Sequence, residues 1–182
     1  MIRPNLNNIR TVPFPDGYGI RTFQPGEGGL WEDIQRDAEP FLTIDSGLFA
    51  REFGHDMPAT AIRCCFLTDP GGDAVGTISA WYGQYRDQNC GRIHWVAVRP
   101  AYQRRGLARA GLSDALRRLA KWHSQALLDT STERLGAIRL YLEAGFVPDL
   151  DYPGAQDAWR EVAENDGFGH LRALVSAARK RI

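Results

Sequence analysis

Residues 96–112 read VAVRPAYQRRGLARAGL. The stretch opens as an apolar run, passes through Pro100, and sets Arg104, Arg105 and Arg109 around Gly106. Just upstream, GRIHWVAV (91–98) has the β-branched and aromatic content of a strand. Downstream, Ala108, Leu112, Ala115, Leu116 and Leu119 recur at helical spacing, while Arg109, Arg117 and Lys121 lie mostly off that face. The pattern predicts a strand, a tight basic turn, and a helix from Gly106 to about Trp122. At a helix start the first N–H groups lack intrahelical partners and the dipole is positive. A phosphate takes up those donors when the chain can approach it closely. Gly106 has no Cβ and Ala108 is small, so both allow that approach. The arginines add charge suited to a pyrophosphate. Taken alone, the same residues also fit a solvated helix start or a basic stripe for nucleic acid.

Composition narrows these readings. The chain has 182 residues, with 22 basic side chains balanced by 22 acidic ones. Zero net charge argues against a general nucleic-acid binder, which carries positive excess. The chain lacks the Gly-x-x-x-x-Gly-Lys-Ser/Thr of a P-loop and a Gly-x-Gly-x-x-Gly after a strand. Apolar residues make up 43%, as in a globular domain with a sizeable core. No apolar run approaches the length of a membrane span, and MIRPNLNNIRTVPFP has no signal-peptide core. Cys64 and Cys65 adjoin in a strand-like run and Cys90 stands alone, incidental or reactive. Neither a disulfide framework nor a zinc site is expected, and a cytoplasmic location fits.

Along the chain, residues 1–17 read as an extended lead-in rich in Pro, Asn and Gly. A strand is expected over Gly19–Phe23, then helices over Leu30–Ala38 and Ser46–Phe53, the latter capped by Asp45. TAIRCCFLTD, the turn PGG and DAVGTISAWYG form a hairpin. A polar loop, QYRDQN, leads to GRIHWVAV. After the helix come a short strand, QALLDT, and a second helix over Glu133–Ala144 closed by Gly145. Amphipathic stretches over Ala155–Asn165 and His170–Arg179 follow a loop. Trp159, Leu171, Leu174, Val175 and Ala178 are expected to cover the core or a partner subunit, which leaves a homodimer open. This order is a mixed α/β layer, not a regularly alternating βα chain.

VAVRPAYQRRGLARAGL, followed by AIRLYLEAGFVP, resembles the two coenzyme-binding motifs of the GCN5-related N-acetyltransferase superfamily. The first matches Gln/Arg-x-x-Gly-x-Gly/Ala after a strand. The second is a helix that carries a tyrosine and ends in Gly-Phe. The pair together, with a strand between, is specific where each alone is weak. The resemblance implies a central, mostly antiparallel sheet flanked by helices over residues 18–148, with a helical C-terminal extension over 149–182. It implies acetyl-CoA as co-substrate, no metal, and no membrane or nucleic-acid partner. It also implies transfer of acetyl to a primary amine of a small molecule or peptide by direct attack on the thioester. Backbone groups of Val96, Ala97 and Val98 would pair with the pantetheine arm, as an added strand pairs with an edge. Gln103, Arg104, Arg105, Gly106, Leu107, Ala108 and Arg109 would surround the pyrophosphate. Tyr141 would protonate the departing thiolate, or else is plain core at helical spacing from Ile138 and Leu142. The asparagine frequent three residues before the Ala-Ile pair is replaced by Arg134, which faces either the coenzyme phosphates or solvent.

Attack on a thioester needs a neutral amine, so a base or a water chain must remove its proton. His94 lies on the strand leading into the motif and is either that base, having the right ordinary pKa range, or a satisfied structural histidine. Alternation along IHWVAV predicts His94, Val96 and Val98 on one face, with Ile93, Trp95 and Ala97 on the other. Trp81, Tyr82 and Tyr85 either line an acceptor pocket or pack. Asp45, Glu52 and Asp87 either attract a cationic amine or serve as surface and capping residues. The alternative to an enzyme is a coenzyme-binding regulatory domain that keeps the fold without turnover.

Overall fold

The computed structural model describes residues 1–178. The strands are β1 (Ile2–Arg3), β2 (Gly19–Thr22), β3 (Cys64–Thr68), β4 (Ala74–Tyr85), β5 (Gln88–Val98) and β6 (Ala126–Leu127). The helices are α1 (Gly28–Ala38), α2 (Leu48–Phe53), α3 (Met57–Arg63), α4 (Leu107–Leu119), α5 (Leu135–Glu143), α6 (Ala155–Glu164) and α7 (Leu171–Ala178). Strand order in the sheet is β1-β6-β5-β4-β3-β2, which is the mixed α/β architecture expected from the sequence. The chain falls into two compact units, Asn5–Ala126, and Met1–Pro4 with the chain from Leu127 onward.

In the Asn5–Ala126 unit, β2 to β5 form an antiparallel meander. The β3–β4 turn is set by Asp69, whose Oδ1 accepts from the N–H groups of Gly71 (2.9 Å) and Asp73 (3.0 Å). The core contains Phe23, Trp31, Ile34, Phe49, Phe53, Cys64, Phe66, Trp81 and Ala97. Each fully buried large side chain contributes roughly 1.5–3 kcal/mol, offset by the entropy of ordering it. Helix α4 lies close to β3: a Cβ on Gly111 would stand 2.9 Å from Leu67 Cδ2.

Four local expectations are corrected here. TAIRCC is not all strand, because Thr60–Arg63 belong to α3. Asp56 caps that helix through Ala59 N–H (3.0 Å) and Pro58 sits in its first turn, so Asp-x-Pro is the local signal for the helix. The loop QYRDQN is a tight turn instead. Tyr85 pairs with Gln88, and Arg86 and Asp87 take left-handed φ of 49° and 63°. Asp45 does not cap α2. It pairs with Arg51 at 2.6 Å, whereas buried Glu32 of α1 accepts from Gly47 N–H (2.8 Å) and Phe49 N–H (3.0 Å). Finally, the alternation predicted along IHWVAV fails at Trp95, where φ is +50° and the β4–β5 register shifts.

In the other unit, Ile2 and Val147 form an antiparallel bridge with two hydrogen bonds of 3.0 and 2.8 Å. Burial lowers the pKa of the Met1 ammonium, which donates to Leu128 O at 2.8 Å. Ile138 of α5 packs with Trp159, Val162 and Ala163 of α6, Phe168, and Leu171 and Val175 of α7. Leu174 remains 43% exposed. Of the apolar set expected on α7, the side chain of Ala178 lies outside the described residues, as does Arg179.

Candidate active site

Between β5 and α4 the chain makes a short 3₁₀ turn over Pro100–Tyr102 and then a basic loop. Arg104 and Gly106 are both left-handed, with φ of 62° and 87°. Such a curl turns successive N–H groups to one side and makes an anion-binding concavity. Gly106 is the N-cap of α4, and its carbonyl accepts the first i→i−4 bond, from Ala110 N–H at 3.0 Å. The N–H groups of Leu107, Ala108 and Arg109 precede that bond. No atom lies within 4 Å of where a Gly106 Cβ would stand, so the loop faces open space. Gln103, Arg104, Arg105 and Arg109 are exposed. Leu107 is 1% exposed, so only its backbone can serve a ligand.

The loop is braced from behind. Gln103 Nε2 donates to Val98 O at 2.9 Å, which ties it back to the end of β5. Arg105 donates to Tyr18 Oη (2.7 Å) and Ala101 O (3.0 Å), and lies over the Tyr102 ring. Tyr102 Oη in turn donates to Asp69 at 3.2 Å. Arg105 is therefore pre-ordered, which cuts the entropy lost when it meets an anion.

Seven residues before the 3₁₀ turn stops, the β5 bulge sets a second group of side chains. Ala97 pairs with Thr77 and His94 with Ser79, so Trp95 and Val96 face a single β4 position. The carbonyl of Trp95 is held by Thr77 Oγ1 (3.0 Å) and by Gln35 Nε2 (3.5 Å). With alternation broken, the neighbours His94 and Trp95 reach the same carboxylate oxygen. His94 Nε2 and Trp95 Nε1 each lie 3.0 Å from Glu52 Oε2. Burial works to raise the Glu52 pKa. The hydrogen bonds from Trp95 and His94, with the positive charges of His94 and Arg92, outweigh it and hold the carboxyl below its ordinary 4.5. The Phe53 ring meets His94 edge-on, the Trp95 ring is tilted against it, and Trp81 packs edge-on against Phe53.

Of the other residues singled out in the sequence, Asp87 sits in the β4–β5 turn and Trp81 is core. Tyr82 Oη donates to Asp56 at 3.1 Å, and the guanidinium of Arg86 lies over the Tyr85 ring. Glu52 is the acidic candidate that meets His94. Cys64 and Cys65 are buried and their thiols are pushed up to about 12 and about 11, so both stay protonated. Burial also raises the Cys90 thiol. Among the described residues, no group of three or more His, Cys, Asp or Glu could hold a metal ion. No described helix is long and apolar enough to cross a membrane.

In the unit from Leu127 onward, Tyr141 lies on the buried face of α5 beside Ile138, with the Phe146 ring 6.0 Å away edge-on. Burial pushes the Tyr141 hydroxyl up to about 12, against the opposing pull of the Arg134 charge. A phenol so shifted keeps its proton at neutral pH. Arg134 is the N-cap residue of α5, and its side chain makes no capping hydrogen bond. Gly145 closes the helix with φ of +84°.

Residues 29–146 match the sequence profile of the acetyltransferase (GNAT) family. A mycothiol acetyltransferase of Streptomyces bingchenggensis is 29% identical over 147 residues, covering 79% of this chain and 47% of that protein. The chain thus spans about half the length of this relative. Among solved structures, a GCN5-related N-acetyltransferase from Sphaerobacter thermophilus superposes with a TM-score of 0.59 at 24% identity, covering 79% of this chain and 46% of its own. The ribosomal-protein-S18-alanine N-acetyltransferase of Escherichia coli superposes with a TM-score of 0.57 at 23% identity, covering 72% of this chain and 78% of its own. The likeness to these structures is one of fold.

Proposed function

The chain belongs to the acetyltransferase (GNAT) family, and from that premise we propose that it is an acetyl-CoA-dependent N-acetyltransferase acting on a primary amine. The observation that carries the reading is the curl of Arg104 and Gly106 at the start of α4, open in front and braced by Arg105. The fit to a pyrophosphate is chemical as well as geometric: helix-start amides, a left-handed glycine and exposed guanidinium groups all favour a dianion. Gln103 to Arg109 hold the pyrophosphate, and Val96 to Val98 offer backbone groups to the pantetheine arm. The names of two of the similar proteins, a mycothiol acetyltransferase and a ribosomal-protein-alanine N-acetyltransferase, support acetyl as the transferred group. The acceptor is a small-molecule or peptide amine, and the reaction is cytoplasmic.

In the reaction so proposed, the amine nitrogen attacks the thioester carbonyl carbon. A C–N bond forms and the C–S bond breaks. His94 receives the proton that the amine nitrogen must lose, and the Tyr141 hydroxyl donates one to the departing thiolate. That hydroxyl holds its proton at neutral pH, as a donor must.

The test is calorimetric titration with acetyl-CoA, followed by thiol detection with amines, amino acids, aminoglycosides and peptides. Saturable binding and thiol release with at least one amine are expected. Absence of acetyl-CoA binding would overturn the proposal. Binding without release from any acceptor would point to a coenzyme-binding domain that does not turn over.

A further inference from the structure

We infer that Glu52 is the positioning residue of His94, fixing its ring as the Nε2–H tautomer so that the basic lone pair lies on Nδ1. The inference rests on the acetyltransferase reading and deepens it. Glu52 stands on α2, 42 positions before His94, and the two meet at 3.0 Å, with Trp95 brought to the same side by the β5 bulge.

The donor and acceptor inventory decides the tautomer. An ionised carboxylate only accepts, and Glu52 is held in that form by its surroundings. His94 Nε2 therefore carries the hydrogen in their contact, and the neutral ring accepts protons at Nδ1. Trp95 Nε1–H donates to the same Oε2, which locks the carboxylate against rotation. The helix that carries Glu52 is itself anchored, because Glu32 takes the Phe49 N–H at its first turn. The ring of Phe53 meets His94 edge-on at 5.6 Å, and the His94 side chain is 12% exposed. When His94 takes the amine proton at Nδ1, the imidazolium keeps its Nε2–H on Glu52, and the positive charge forms beside a carboxylate. Such a partner orients a base and stabilises its charged form without itself being protonated. Glu52 from α2 faces His94, and the charge of Arg92 on the same strand acts on that carboxylate.

Two measurements test this, and the first needs no turnover. Nitrogen-15 NMR of histidine-labelled protein, assigned with His94→Gln, reads the neutral tautomer directly. Nε2–H is expected for His94 in the native chain, and a mixture of both tautomers in Glu52→Ala. An Nδ1–H tautomer in the native chain overturns the inference alone. The second compares Glu52→Gln, His94→Gln and the double variant by thiol release. Glu52→Gln should lower kcat about ten- to a hundredfold with KM for acetyl-CoA unchanged, a part of what a general base supplies. The double variant should lose no more than His94→Gln, because the two act as a unit. Equal kcat in Glu52→Gln and the native chain overturns the positioning role. A native chain that acetylates no amine overturns the acetyltransferase reading and this role with it, and the tautomer result tells the two failures apart.

Discussion

Gln35 Nε2 donates to Thr77 Oγ1 at 2.6 Å, and both side chains are buried in the Asn5–Ala126 unit. The Thr77 hydroxyl spends its own proton on Trp95 O, the carbonyl at the β5 bulge. A buried amide, a hydroxyl and an irregular strand carbonyl thus satisfy one another. Trp95 is held at a positive φ that a tryptophan does not choose unaided. This triad holds the bulge that turns Trp95 to Glu52 beside His94.

Thr77→Val keeps the shape and removes both hydrogen bonds of the hydroxyl. With the Trp95 carbonyl and the Gln35 amide left short of partners, stability should fall by about 1–3 kcal/mol. Urea denaturation reads this as a lower midpoint at an unchanged slope. A midpoint equal to that of the native chain would show that the triad does not hold the bulge.

Gly106→Val should cut acetyl-CoA affinity at least tenfold. The residue sits at φ +87°, where a side chain costs about 1–2 kcal/mol of backbone strain, and a β-branched group would stand in the open mouth of the loop. Calorimetric titration gives the comparison, with thermal unfolding as the check that the fold persists. Unaltered affinity in a folded variant removes the loop from the coenzyme site.

Tyr141→Phe should lower kcat by about tenfold or more while leaving acetyl-CoA affinity nearly unchanged, as expected for a group that acts mainly in the transition state. The side chain is 7% exposed, and the loss of one hydroxyl leaves its ring contact with Phe146 in place. Equal losses in binding and turnover, or none, would reject the acid role.

The stability of the chain should depend on Glu52 in the acid range. Its folded pKa lies below the ordinary 4.5, so the folded state binds its proton more weakly than the unfolded state does. The carboxylate therefore stabilises the fold at pH above 4.5 and that contribution fades as pH falls through the folded pKa. Glu52→Gln has no such proton to bind, and its stability should decline less steeply between about pH 5 and pH 3. Chemical denaturation across that range gives both slopes, and identical slopes would contradict the cause assigned to the shift.

The strand, the basic turn and the helix around Gly106 were readable because each carries a local signal: period, punctuation, or a residue type suited to one backbone shape. Gly145 after α5 was readable for the same reason. Asp56 and Pro58 carried an equally local signal for α3, yet the β-branched and sulfur-bearing residues that follow favour a strand and masked it. The α2 cap left no such trace. Glu32 reaches Gly47 and Phe49 from another helix, while Asp45, the better local candidate, pairs with Arg51.

By itself the sequence determined the mixed α/β class, the basic loop between β5 and α4, and the helix that carries Tyr141. These follow from neighbours within a few residues, where backbone geometry ties position to face. Only the tertiary structure decided that His94 and Trp95 share one carboxylate. A period of two puts adjacent strand residues on opposite faces, and the bulge that reverses this is held by Thr77 and Gln35, far away in the chain. Glu52 was one acidic residue among several until the fold set α2 against His94.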